Sequence, residues 1–202
     1  MATLPTITLS ADYFVGDSPL WGAEHLDATE LGLSAQLRAD LAAWSGAFDR
    51  ITQTDYAFAS EEAELAHRVG ALQLAARVQR ELGDAAVVTC RTGAERITAR
   101  DRHDGDARRA PVLLITPTSV GGDDELVDQA ADEPLVVTAA EAGAGPETVA
   151  ALVELRGRAA GQEGPGATPA DIRARTLEVA AALQRDVGVG ARVAPWPPSP
   201  AG

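Results

Sequence analysis

The chain repeats itself, and that constrains its fold more than any other feature. LPTITLSADYFVGDSPLW from Leu4 lies over APVLLITPTSVGGDDELV from Ala110, sharing Pro5/Pro111, Gly16/Gly122, Asp17/Asp123 and Leu20/Leu126. LDATELGLSAQLRADLAAW from Leu26 then lies over VTAAEAGAGPETVAALVEL from Val137. The third block is the clearest: LAARVQRELGDAAVV from Leu74 over VAAALQRDVGVGARV from Val179, with Gln79-Arg80 above Gln184-Arg185 and Gly83 above Gly188. Three blocks in one order, with small offset changes falling in loops, read as an internal duplication. The expected fold is therefore two like units in a pseudo-twofold arrangement.

Each unit opens on a short β-rich run, over 6–9 and 112–115, with the apolar pattern of a half-buried or buried strand. A loop leads to a first helix, which Ser34 is placed to cap in one unit and Pro146 to start in the other. Leu37, Leu41, Trp44 and Phe48 recur at helical spacing, as do Val149, Leu152 and Val153, so each helix is expected to turn one stripe to the core. A second helix is predicted over 61–82, with Leu65, Val69, Leu72 and Ala76 on one face and Leu74, Val78 and Leu82 on another. Its counterpart is capped by Thr168, starts at Pro169, carries Ile172, Val179, Leu183 and Val187, and stops at Gly188. Both lead into short β runs, over 86–90 and 192–194.

The fold class is thus α/β (α+β), two degenerate β-α-α-β repeats, with a further strand expected over 96–99. The domain reading is a first unit over 1–100, a connecting turn over 101–109, a second unit over 110–195 and a disordered Pro-rich tail over 196–202.

Composition narrows the function. The formal net charge is −13, all 17 basic residues are Arg, and there is neither Lys nor Asn. A chain this acidic lacks the clustered cations that phosphate recognition needs, so nucleic acid is not an expected partner; the one basic knot, Arg100, Arg102, Arg108 and Arg109, is broken by Asp101, Asp104 and Asp106. Codon bias in a GC-rich genome accounts most simply for the missing lysine. Cys90 is the only cysteine, which leaves no internal disulfide and no Cys-based zinc cage. No run approaches the roughly 18 apolar residues of a membrane span, and the opening MATLPTITLSADYF has no basic start or apolar h-region, so the expected location is cytoplasmic.

DYFVGDSPLW, ELGLSAQLRADLAAW, DYAFASEEAELAHRVGALQLAARVQRELG and VVTC follow one another through residues 12–90. In order and spacing this stretch resembles a group of small uncharacterised bacterial proteins with an aromatic-then-PLW opening, a Leu-x-Leu-Ser helix start and a Leu-Gly helix end before a strand. The resemblance implies a small α/β partner-binding or accessory protein and supplies no mechanism. The second unit departs from it, with Val127 for Trp21, Leu155 for Trp44 and no counterpart of 55–58.

Gly16-Asp17-Ser18 has the look of a GDS-type esterase block, but no His follows His103, no Asn exists for an oxyanion hole, and Asp124 stands at the repeat position of Ser18. Glu64-x-x-His67 has the spacing of a di-iron helix pair without the second pair it needs, so a solvated helix start is expected there, with Glu61, Glu62 and Glu64 facing the positive helix end. Gly143-Ala-Gly145 lacks the third glycine of a dinucleotide fingerprint and reads as a helix entry. His25 and His103 read as exposed loop residues. No catalytic, cofactor or metal site follows.

Aromatic residues carry the positive reading. Tyr13, Phe14, Trp21, Trp44, Phe48, Tyr56 and Phe58 all lie in the first unit, with Trp44 and Phe48 assigned to its core. Tyr and Trp are enriched at interface hot spots, and acidic loops steer association with a basic partner. The expected partner-binding residues are Tyr13, Trp21, Tyr56, Asp12, Asp17, Glu24 and Asp55. The functional expectation is a non-enzymatic acidic protein-interaction module, sharpest as an immunity or antitoxin-like protein. The alternatives are an assembly or scaffold subunit and an enzyme with an unrecognised acidic site.

Overall fold

The computed structural model describes residues 4–12, 17–51, 57–91, 111–117, 122–129, 134–161 and 167–195. The first unit runs β1 (Thr6–Ser10), β2 (Leu20–Trp21), β3 (His25–Leu26), α1 (Ala35–Asp49), α2 (Glu61–Leu82) and β4 (Val87–Arg91). The second runs β5 (Val112–Ile115), β6 (Glu125–Asp128), β7 (Leu135–Thr138), α3 (Pro146–Ala159), α4 (Pro169–Val187) and β8 (Arg192–Pro195). The sheets have orders β3-β2-β1-β4 and β7-β6-β5-β8, each with one parallel pair, β1 with β4 and β5 with β8, and antiparallel neighbours elsewhere. The units therefore share one topology. It is β-β-β-α-α-β rather than the simpler expected repeat: β2 and β3 have two residues each and show no alternation to read, and β6 and β7 are four residues each, ELVD and LVVT, too short for a clear period. The expected strand over 96–99, the turn over 101–109 and the tail over 196–202 lie outside the described residues.

Local signals place the helices where the sequence puts them. Ser34 Oγ accepts from Leu37 N–H, Ser60 caps α2 through Ala63 N–H, and Thr168 with Asp171 forms a full capping box. Pro146 opens α3 after Gly145, so the Gly-Ala-Gly segment is a helix entry. Glu81 at the end of α2 accepts from both N–H and Oγ–H of Ser34 at 2.7 Å, and its repeat equivalent Asp186 accepts from Gly145 N–H at 2.8 Å. Each first helix is thereby tied at its start to the end of the second helix of its own unit.

Ile7, Leu9, Leu20, Val88, Cys90, Leu113, Ile115, Leu126 and Val193 line the inner sheet faces of one continuous core. Against them pack α2 and α4, which also pack on each other. That explains the two apolar faces of α2: it is covered by α1, by its sheet and by α4, so Ala71, Leu72, Leu74, Ala75 and Val78 are all buried. Ala75, Ala174 and Ala180 are fully buried small residues that let these backbones come close. In α3 the expected stripe is displaced: Val153 is exposed, and Leu152, Leu155 and Arg156 take the buried positions. Among the described residues no helix is long and apolar enough to cross a membrane.

The contact between units is reciprocal. Arg68 of α2 donates to the carbonyls of Val189 and Ala191 beyond α4, at 3.1 and 3.2 Å, while its repeat equivalent Arg173 of α4 pairs with Asp84 beyond α2 at 2.7 Å. Asp84 and Val189 are themselves repeat equivalents. A contact from i to j matched by its mirror from j to i is the signature of twofold-type packing, here within one chain.

Gly83 and Gly188 end α2 and α4 at φ +56 and +67 with ψ −134 and −155, backbone that side chains avoid, and a Cβ at either would meet no atom within 4 Å. Gly188→Ala should therefore cost about 1–3 kcal/mol through backbone strain alone. Urea unfolding tests it; an unchanged midpoint would show that the turn relaxes freely.

Candidate functional site

β1, β2 and β3 form a short meander held by more than its ladder. Ser10 N–H donates to Pro19 O, Gly22 N–H to Glu24 O, and the buried Ser18 Oγ–H to Leu26 O at 2.6 Å. Ser18 is thereby a structural clip between β2 and β3, which disposes of it as a nucleophile. His25 Nε2 lies 2.6 Å from Ser18 O, and because a carbonyl only accepts, that nitrogen carries the proton.

Register decides which side chains reach the face turned away from the helices. Leu9, Leu20 and Leu26 are matched across the strands and face the helices. Thr8, Trp21 and His25 are matched in the same way and face outward. Trp21 is half-buried, with its indole N–H donating to Ser10 O at 3.2 Å and its ring meeting His25 edge-on at 5.2 Å between centroids. Two contacts thus fix the indole while part of its surface stays open. His25 is exposed, but it stands in β3 opposite Trp21 and not in a loop.

The expected carboxylates do not share one spot. Asp12 and Asp17 are exposed at the end of the meander where β1 finishes and β2 begins, whereas exposed Glu24 lies in the turn at the opposite end of β2. Trp21 sits between these ends, so acidic groups flank the aromatic position on two sides. Tyr13, Asp55 and Tyr56 lie outside the described residues.

The Glu64/His67 reading needs correction. His67 is buried, 6% exposed, and stacks on Trp44 with centroids 4.4 Å apart and planes 10° from parallel, with Phe48 and Phe58 at 5.6 and 5.1 Å. Trp44 N–H donates to His67 O at 3.0 Å, and His67 Nε2 has no hydrogen-bond partner. Burial among rings penalises the imidazolium and lowers the pKa to about 4. Glu64 pairs instead with Arg68, and only Glu61 and Glu62 are left fully exposed at the helix start. The sequence spacing was right about the face; it could not show that α1 would close aromatics over it. Trp44 is buried as expected and Phe48 is half-buried.

Among the described residues no three His, Cys, Asp or Glu side chains group to hold a metal ion. Arg156, buried as Arg68 is, donates to Gly122 O at 2.9 Å and to Glu125 O, and serves to brace the loop before β6. The arrangement offers an ordered, half-buried aromatic on the sheet face turned away from the helices, flanked by carboxylates.

Comparison with known proteins bears on the same unit. Residues 5–92 match a family model described as Serratia CdiI immunity protein-like. The match spans β1 through β4 and gives a family description to the stretch whose motifs resemble small bacterial proteins. No curated protein and no solved structure matches the chain.

Proposed function

We propose that this chain is an immunity-type protein that acts in the cytoplasm by binding a toxin and blocking it without chemistry of its own. The carrying observation is the match of residues 5–92 to the CdiI immunity protein-like family. A net charge of −13 supports a basic partner, because opposite fields speed encounter and orient the pair. The partner-binding residues on this reading are Tyr13, Trp21, Tyr56, Asp12, Asp17, Glu24 and Asp55, all in the first unit, with the second unit over 110–195 supporting the fold.

The test is protection in cells. On this reading a toxin gene neighbours this one; its toxin domain should be lethal alone and tolerated when this chain is co-expressed, and the two purified proteins should form a 1:1 complex. Association should slow as salt rises toward 0.5 M, where the Debye length falls to about 4 Å. Growth arrest undiminished by co-expression would overturn the reading.

A further inference from the structure

The two units allow a comparison that neither allows alone. In the first sheet the cross-strand pair on the outer face is Trp21 with His25. In the second sheet the pair at the same place in the topology is Val127 with Val136. Both pairs join the second and third strands of their sheets, face away from the helices, and follow a leucine that faces the core, Leu20 or Leu126. The second sheet forms with two valines there, one of them 52% exposed. The fold therefore has no need of a tryptophan and a histidine at this position.

The first unit nevertheless keeps its pair fixed. Indole N–H to Ser10 O and imidazole N–H to Ser18 O anchor both rings to the backbone, and the rings brace each other edge to face. A ring already held pays little rotamer entropy on binding, which is the property of an interface anchor. The surface around it is graded. Thr6 is exposed and Thr8 and Ser10 are half-buried on the same face, while toward β4 Thr89 is buried, and Arg91 lies beside Ser10 at the far strand. Asp12 and Asp17 lie at one end and Glu24 at the other.

We propose that the outer face of β1–β3, anchored on the Trp21–His25 pair, is the surface that receives the toxin, and that the toxin supplies an Arg or Lys side chain lying against the indole. The occupant follows from charge: the exposed part of an indole between carboxylates attracts a cation whose stem packs on the ring and whose head meets Asp12, Asp17 or Glu24. A second copy of this chain would bring like carboxylates together on both sides of the ring. This inference rests on the toxin-binding reading above and adds to it the surface and the chemistry of the contact.

The second unit supplies the variant for the test. Trp21→Val/His25→Val in the full chain reproduces the second sheet's pair in the first, and it should keep the circular dichroism spectrum and a cooperative unfolding transition. Its affinity for the toxin against which the parent chain protects should fall at least about 30-fold, the equivalent of about 2 kcal/mol. Val136→Ala, at the matching place in the second unit, should bind as the parent does. A folded double variant with parental affinity overturns the surface and leaves the toxin reading standing, whereas a parent chain that neither binds nor protects overturns both. Hydrogen exchange on the parent complex covers the case of a variant that fails to fold. Slowed exchange over 6–10 and 20–26 supports the surface, and protection confined to other elements overturns it.

Discussion

Gln79→Leu should lower the unfolding free energy by about 4 kcal/mol, and Gln184→Leu by a similar amount. Gln79 is fully buried near the end of α2, where its amide donates to Gly83 O and Ala86 O at 2.8 and 3.0 Å and its oxygen accepts from Val88 N–H at 2.8 Å. Gln184 repeats the set on Gly188 O, Ala191 O and Val193 N–H at 2.7, 3.1 and 3.0 Å. Each glutamine thus bridges a helix end, its turn and the strand that follows, satisfying backbone groups that the turn withdraws from water. Leucine has about the same volume, so little cavity forms, but three buried or part-buried backbone groups lose the glutamine at about 1–3 kcal/mol each before relaxation, and of these Ala191 O keeps a second donor in Arg68. Urea titration of the parent and the two variants measures this. A loss below about 1 kcal/mol would mean that water replaces the side chain and that the bridge is not structural. Similar losses for both variants would show that the units depend equally on the same device.

Stability should also fall as pH drops from about 6.5 toward 4, with His67 as the cause. An unfolded histidine titrates near 6.5, and burial against Trp44, Phe48 and Phe58 holds His67 near 4 in the folded chain. The folded state favours the neutral ring, so its contribution is complete above about pH 6.5. The contribution is lost as the unfolded state takes up a proton that the folded state refuses, and the loss levels off near the folded pKa. A separation of about 2.5 units corresponds to about 3 kcal/mol at most. The lowered carboxylates act in a different window. Asp27 and Asp171, held down by bonds from Thr29 and Thr168, contribute above the ordinary range near 3.8 and lose that only as pH falls below it. His67→Ile, which places in α2 the residue that α4 carries as Ile172, should flatten the slope between pH 6.5 and 4.5 while leaving the carboxylate-driven loss below pH 4. An unchanged slope in that variant would remove His67 as the cause.

Much of this molecule was legible in one dimension because its signals are local. Ser34, Pro146, Thr168 and Gly188 start or stop helices through groups within a few residues of themselves, and α2 spans the residues its apolar spacing predicts. The Gln-Arg and Gly matches between Leu74 and Val179 anticipated two units of one topology, and the fully buried Gln79 and Gln184 are the physical basis of one of those matches. The concentration of aromatics in the first unit, and with it the immunity-like reading, also came from sequence, and residues 5–92 carry the family similarity that supports it.

Long-range placement required the tertiary structure. Two-residue strands such as β2 and β3 have no period, so only pairing reveals that Trp21 and His25 share an outward face and that Val127 and Val136 stand in their place in the second sheet. His67 reads as a solvated residue beside Glu64 until α1 brings Trp44 and Phe48 over it, and burial then pushes its pKa down to about 4. Arg68 and Arg173 carry no mark in sequence of reaching across to the other unit, since partners 89 to 123 residues away leave no local spacing. Short-range hydrogen bonding and periodicity thus set the elements, while the sheet pairing and the α2/α4 packing determined which side chains became core, bridge or open surface.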